Sequence, residues 1–152
     1  MVGFFGRYSL RVDEKGRIVI PALFRDTIRA EHAGRIYVTC ALRDECLQAY
    51  PEQAWSKLLE KVATLPRTSE SVKFFMRRVI GSAHEAEIDK QGRALVPPSL
   101  RDYAKIGING EIVLLGQTDM IEIWNKEKFE VIDRQDEAKA REYELELAGM
   151  GV

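Results

Sequence analysis

The sequence predicts an α+β fold that is rich in β-strands and built from two internal repeats. Residues 13–26 return as residues 89–102, with Asp-x-x-Gly-Arg, three apolar residues, Pro and a later Arg-Asp at the same offsets. Each copy is surrounded by short β-rich runs and one short helical pattern. So few strands make a poor core by themselves. The two halves are therefore expected to interleave their strands around a pseudo-two-fold axis into one small β-barrel, with added helices.

The elements of the first repeat follow from local patterns. Alternation of apolar and polar residues predicts a first strand, Asp and Gly predict a turn, and Pro21 ends the return strand and begins a short helix. Two further β-rich runs complete the repeat. The predicted elements are strands at 8–12 and 17–20, a helix from 21 to 30, and strands at 35–40 and 46–50.

The second repeat has the same order, with two residues fewer in the loop before its last strand. Its strands are predicted at 86–88, 94–96, 112–115 and 121–124, with a helix after Pro97 and Pro98. Between the repeats, two amphipathic helices are predicted to pack on the barrel, although a neighbouring subunit is the alternative. A charged helix is predicted from Lys126. The resulting division is repeat one at 5–52, connecting helices at 53–80, repeat two at 81–126 and a charged helical tail at 127–152.

Composition limits the functional classes. The two Cys and two His lack the spacing of a zinc site, since no Cys-x-x-Cys is present, so neither a metal nor a cofactor is expected, and both thiols are expected to be reduced. The net charge is −1, yet residues 1–30 carry six basic and three acidic residues, whereas residues 127–152 carry eight acidic and four basic. This asymmetry leaves one face positive. No secretory signal or membrane-spanning run of about 20 apolar residues is visible, so a soluble, cytoplasmic protein is expected.

The duplicated loop is the candidate functional site. A hairpin turn with a local ion pair would explain one copy, but turn geometry alone does not require an Arg after the Gly in both. We expect Asp13 and Asp89 to shape the loops and to orient Arg17 and Arg93. Each planar guanidinium could then bind a phosphate or a guanine edge. Lys15, Lys90 and Gln91 are candidates for further DNA contacts.

Catalysis is not expected at these loops. Paired carboxylates would need a cleft, a raised pKa and a partner acid or base, and no His lies near either loop in the sequence. A Gly-rich phosphate-binding loop and a Ser/His/Asp set are also absent from the sequence. The protein is therefore predicted not to be an enzyme.

Several segments together resemble the MraZ family. They are the opening Gly6-Arg7-Tyr8, the two Asp-x-x-Gly-Arg loops at 13–17 and 89–93, Gly81-Ser82-Ala83, and Ile121-Glu122-Ile123-Trp124. The resemblance extends to about residue 147. It implies a double-split (swapped-hairpin) β-barrel of the AbrB/SpoVT type, formed within one chain from two copies of a half that related proteins contribute from two chains.

The resemblance also implies a function. Members of the family are bacterial transcriptional regulators, usually repressors, of the division and cell-wall gene cluster that contains their own gene. They assemble as closed rings and bind short direct repeats of double-stranded DNA, so nucleoid association is expected. By position, the implied DNA-binding residues are Arg7, Lys15, Gly16, Arg17, Lys90, Gln91, Gly92 and Arg93, with Asp13 and Asp89 shaping the loops.

The sequence leaves a second function open. The acidic tail helix could make the protein an interaction module that restrains an enzyme encoded in the neighbouring cluster. Its apolar stripe is thin, which fits either a solvated helix or one that faces a partner. For DNA binding, a ring would compensate for the mild net charge, because several subunits on one duplex multiply the contacts.

Overall fold

The computed structural model describes residues 3–152. Met1 and Val2 lie outside the described residues. They begin the N-terminal segment that is not expected to be a secretory signal. The strands are β1 (Arg7–Arg11), β2 (Arg17–Val19), β3 (Arg35–Cys40), β4 (Leu47–Pro51), β5 (His84–Glu87), β6 (Arg93–Leu95), β7 (Glu111–Gly116) and β8 (Ile121–Asn125). The helices are α1 (Ala22–Glu31), α2 (Glu52–Ala63), α3 (Glu70–Phe75), α4 (Pro98–Ala104), α5 (Lys126–Ala138) and α6 (Ala140–Gly149). A π-helical turn, Met76–Ile80, continues α3.

The strands of the two repeats interleave, as predicted. Six antiparallel strands form one sheet in the order β1-β7-β8-β4-β3-β5, and β2 pairs with β6 in a separate two-stranded ribbon. Strands β1 and β5 are the edges of the large sheet. The predicted closed barrel is thus not seen as one continuous hydrogen-bonded ladder among the described residues. Instead, β2 and β6 form a separate short ribbon, and each of them follows the loop after an edge strand, β1 or β5.

The strand registers follow a pseudo-two-fold axis. Tyr8 of β1 faces Leu114 of β7, and the residues 76 positions away, His84 of β5 and Val38 of β3, face each other in the same way. The equivalence holds along both pairs. Each repeat therefore supplies an edge strand that completes the other repeat, which explains why neither half has an adequate core alone.

The axis passes through two strand pairs. In the ribbon, Ile18 faces its own equivalent, Ala94. In the large sheet, Gln48 of β4 faces Glu122 of β8, which is offset by 74 rather than 76 positions. The two-residue deletion predicted before β8 is thereby confirmed, and the ribbon is centred on the axis.

The core is shared by both repeats. Ile18, Ile20, Ala94 and Val96 point from the ribbon into it with at most 2% exposure. Its other fully or nearly fully buried members come from the sheet and helices of both halves, among them Phe4, Phe24, Ile28, Ile36, Leu47, Leu100, Ile112, Leu114, Ile121 and Ile123. One side of the ribbon is thus fixed by apolar burial, which leaves its other side to the solvent.

The helices outside the repeats are arranged partly as predicted. Trp55 of α2 stacks on Tyr37 of β3, with ring centroids 5.4 Å apart, so α2 packs on the sheet of its own chain. Phe129 of α5 packs edge-on against Trp124 of β8 at 5.9 Å. The tail was predicted as one helix, but a break at Lys139 separates α5 from α6, and α6 has no buried residue. Within the described part of the chain, no helix is both long and apolar enough to cross a membrane.

Candidate nucleic-acid interface

The first loop is organised by one carboxylate. Oδ1 of Asp13 accepts hydrogen bonds from the backbone N–H groups of Lys15 and Arg17, both at 2.8 Å, and Oδ2 accepts one from Nε of Arg17 at 2.8 Å. The N–H of Gly16 donates to the carbonyl of Asp13, and Gly16 has a φ of +83°. Only Gly adopts that backbone conformation without strain. The loop thus holds the Arg17 side chain by its Nε.

The second loop repeats this geometry. Oδ1 of Asp89 accepts from the N–H groups of Gln91 and Arg93, and Oδ2 accepts from Nε of Arg93, all at 2.9 Å. Gly92 has a φ of +80°. In addition, Nη2 of Arg93 donates to the side-chain carbonyl of Gln91. Asp89 thus holds the Arg93 side chain by its Nε, as Asp13 holds that of Arg17.

The loop hydrogen bonds keep both carboxylates charged. The backbone N–H of Arg17 is the main cause, and it lowers the pKa of Asp13 from 3.8 to about 2 despite some desolvation. The N–H of Arg93 likewise lowers the pKa of Asp89. Both aspartates are therefore ionised near neutral pH, and each forms a charge-assisted pair with its arginine.

Each loop is also held by the other repeat. The buried Gly16 lies against the guanidinium of Arg101, where an added Cβ would be 3.0 Å from Nε, and a Cβ added at Gly92 would come still closer to Nη1 of Arg25. The N–H of Val96 donates to the carbonyl of Gly16 at 2.9 Å. Arg25 and Arg101 were not selected from the sequence, although both occur in the duplicated Arg-Asp of the repeat. Their occurrence in both repeats was the sequence signal that could have identified them.

The outer face of the ribbon brings the two oriented arginines together. Arg17 faces Leu95 and Val19 faces Arg93, so these four residues share the face opposite Ile18 and Ala94. Diagonal neighbours in such a pair are about 7–8 Å apart. The arginine side chains are 26% and 25% exposed, and Val19 and Leu95 are 48% and 42% exposed. We call these four residues the ribbon patch.

The other residues predicted to contact DNA lie either around this patch or away from it. Lys15, Lys90 and Gln91 are exposed at the loop tips. The two loops differ in charge, because Glu14 of the first occupies the position of Lys90 in the second. Only the second loop receives a hydrogen bond from Arg29, whose Nη2 donates to the carbonyl of Asp89 at 2.7 Å.

Arg7 lies apart from the loops. It begins β1, about 20 Å from the loop that follows the strand, given the rise of an extended chain. Its guanidinium lies 4.7 Å from the centre of the Phe129 ring and 3.7 Å from a carboxylate oxygen of Asp133. In this position Arg7 links β1 to α5.

The His and Cys residues of the described chain form neither a metal-binding cluster nor an activated thiol. No group of three or more His, Cys, Asp or Glu residues there could hold a metal ion. Burial raises the pKa of both Cys40 and Cys46, so neither thiol is activated as a nucleophile. His32 is 2% exposed and lines a cavity of about 400 Å³ beside Lys57 and Lys61, away from the loops.

Comparisons with known proteins agree with the resemblance seen in the sequence. The chain is 35% identical over 149 residues to a transcriptional regulator MraZ of Acetivibrio thermocellus, which covers 98% of this chain and 99% of the relative. It is 38% identical over 135 residues to that of Desulforamulus reducens (89% and 90% covered) and 42% identical over 127 residues to that of Clostridium tetani (84% of each). These relatives are named as regulators and not as enzymes, in agreement with the predicted absence of catalysis.

Structural comparison finds a more distant similarity. The solution structure of PHS018 from Pyrococcus horikoshii aligns with a TM-score of 0.36 and 17% identity, over 76% of this chain and 91% of that one. The family comparison is far closer. The model of the MraZ protein family, described as antitoxin-like, matches residues 4–78 and again residues 79–147. With both repeats matched and relatives of similar length throughout, the chain belongs to the MraZ family.

Proposed function

We propose that the protein is a sequence-specific DNA-binding transcriptional regulator that reads double-stranded DNA with the ribbon patch and the two flanking loops. The observation that carries the proposal is the pair of arginines, Arg17 and Arg93, oriented by aspartates on one exposed face. The backbone hydrogen bonds to the two aspartates stabilise the loops, but a surface ion pair adds little, so stability does not account for an Arg at this position in both repeats. The names of the relatives favour the same function.

The proposed contacts follow from size and chemistry. A two-stranded β-ribbon fits the major groove of B-DNA, which is about 12 Å wide. Because Asp13 and Asp89 hold the Nε atoms, the Nη groups are left to donate two hydrogen bonds to O6 and N7 of guanine, and Arg93 does so with the Nη hydrogens that it does not donate to Gln91. Lys15 and Lys90 bind phosphates, and Gln91 binds a phosphate or a base. Gly16 and Gly92 contribute their backbones, and Arg7 is a peripheral cation.

The wider proposal concerns assembly and regulation. A single subunit presents few cations, so its electrostatic attraction to DNA is weak. We propose a closed ring of subunits whose interleaved halves form a double-split AbrB-like barrel. Head-to-tail contacts in a ring repeat one orientation, which suits direct repeats about one DNA turn, or roughly 10 base pairs, apart. The target is the region upstream of the protein's own gene cluster, which it represses as a cytoplasmic, nucleoid-associated protein.

The test is fluorescence anisotropy on the DNA upstream of the protein's own gene, beside a scrambled duplex, across a salt series. The variant Arg17→Ala/Arg93→Ala should lose most of the preference for the native duplex, by roughly 5- to 150-fold for each lost bidentate contact. The matched control is Arg141→Ala on α6, which should bind as the wild type does. If the double variant keeps its preference, or if wild type binds both duplexes equally, the proposal is wrong.

A second candidate function rests on α6. This helix buries no residue, and Leu145 within it and Met150 just after it are each 73% exposed. It fits an interaction module that restrains an enzyme encoded in the neighbouring cluster. Deletion of residues 140–152 separates the two candidates, because it should leave DNA binding intact and abolish any binding to purified cluster-encoded enzymes.

A further inference from the structure

The ribbon patch contains two exposed apolar side chains whose positions are equivalent by the pseudo-two-fold axis. Val19 and Leu95 are 48% and 42% exposed, whereas their neighbours Ile18 and Ala94 are 1% exposed. Single apolar residues on a surface need no explanation. Here, however, both repeats place one on the same face, and each lies directly opposite an arginine, Val19 facing Arg93 and Leu95 facing Arg17.

The patch therefore combines two kinds of binding group. Its two cationic corners require an acceptor-rich, negatively charged partner, and its two apolar corners require small apolar groups beside those acceptors. The major groove supplies both, since guanine presents O6 and N7 and thymine presents its C5-methyl group. An apolar peptide would not supply the acceptors that the arginines need, and a contact with the acidic tail of a second copy is the alternative that the mass measurement below tests.

We propose that Val19 and Leu95 contact thymine methyl groups next to the guanines that Arg17 and Arg93 bind. This inference rests on the proposed function. Residues two positions apart on a strand are separated by about 6.8 Å, which equals two base-pair steps of about 3.4 Å. The contacted thymines consequently lie within two base pairs of the contacted guanines, and Val19 and Leu95 determine specificity together with the arginines.

The experiment removes the methyl groups and nothing else. A preferred duplex is first selected from a random pool with the wild-type protein at physiological salt. Each of its thymines is then replaced, one at a time, by deoxyuridine, and binding is measured by anisotropy. We expect one or two replacements within two base pairs of an essential guanine to weaken binding by about 3- to 5-fold, the effect of losing one buried methyl. Replacements elsewhere should have no effect.

Variants assign the effect to the two side chains. Val19→Ser/Leu95→Ser should bind the thymine and deoxyuridine duplexes equally. The control Leu145→Ser, on the exposed α6, should discriminate as the wild type does. Light scattering on each variant measures the mass of the assembly.

The outcomes distinguish this inference from the proposed function. Uniform tolerance of deoxyuridine, or a preferred duplex without thymine near its guanines, overturns the methyl contact but leaves DNA binding through Arg17 and Arg93. The methyl contact is also overturned if the Val19→Ser/Leu95→Ser variant still discriminates between the two duplexes. It is overturned as well if that variant loses assembly mass, because the patch would then be a contact between copies. Failure to select any preferred duplex overturns the proposed function itself.

Discussion

At the scale of single residues, the charge on Asp13 controls its loop. Its pKa is lowered from 3.8 to about 2, chiefly by the N–H of Arg17, so the carboxylate stabilises the folded protein above pH about 4 and loses that contribution as the pH falls towards 2. Asp13→Asn should therefore lower the free energy of unfolding at pH 7, and its difference from wild type should vanish near pH 2. Urea titrations at several pH values measure this difference.

The control for that prediction is Glu14→Gln in the same loop. Glu14 is exposed and makes no hydrogen bond or ion pair in the described structure, so its difference from wild type should be small at every pH. A pH-independent effect of Asp13→Asn would mean that the side chain acts through shape and not through charge.

Gly92 tests how closely the two repeats hold each other's loops. Gly92→Ala places a methyl group in a left-handed backbone conformation and against Arg25, whereas Gly34→Ala, at a φ of +71°, meets nothing within 4 Å. Gly34→Ala should cost about 1–2 kcal/mol from backbone strain alone. Gly92→Ala should cost a further ~1–3 kcal/mol from overpacking. Urea denaturation measures both.

A double variant identifies the source of the extra cost. If the collision with Arg25 is responsible, Gly92→Ala should cost no more than Gly34→Ala once Arg25→Ala is also present. Equal costs for the two single variants would show that the Arg25 side chain moves aside freely.

At the scale of elements, α5 and α6 differ in what they bury. Phe129 of α5 is 8% exposed against Trp124, but α6 buries nothing. Deletion of residues 140–152 should change the free energy of unfolding by less than about 0.5 kcal/mol, whereas Phe129→Ala should lower it by about 3 kcal/mol. Denaturation of both variants measures this. A large loss of stability or of assembly mass on deletion would reveal that α6 packs on a neighbouring subunit.

Many elements were predictable because their signals are local. Pro21 separates β2 from α1, the Asp-x-x-Gly turns precede β2 and β6, and Asn125 caps α5 by accepting from the N–H of Lys128. The duplication also allowed the interleaving of the two halves to be predicted, because neither half could bury its own strands alone.

Other features depend on contacts that sequence patterns do not display. The π-helical turn at Met76–Ile80 ends where the carbonyl of Val79 accepts from Thr39, which lies 40 residues away. The break at Lys139 follows no Pro or Gly. At the site, the loops and their arginines were predictable from the repeat, but the packing of Arg25 and Arg101 and the shared face of Val19 and Leu95 required the strand register.

At the scale of the whole molecule, the proposed ring could not follow a straight duplex for long. We therefore expect bound DNA to bend or the ring to distort, with bending costing on the order of a few kcal/mol. A phasing assay on the upstream fragment measures the bend, and scattering measures the ring. The variant Arg17→Ala/Arg93→Ala serves as the control without specific contacts. Straight DNA on a ring that stays symmetric would contradict the expectation.

The pseudo-two-fold axis through Ile18 and Ala94 also bears on polarity. A duplex has dyads of its own, so a subunit can be turned end for end on the DNA and present nearly the same ribbon patch. Groups that differ between the two repeats favour one orientation over the other, among them Val19 against Leu95, Glu14 against Lys90, Lys15 against Gln91, and the hydrogen bond from Arg29. In the proposed binding mode, the direction in which a site is read is thus carried by these few surface side chains, and can change while the fold and the arginines stay the same.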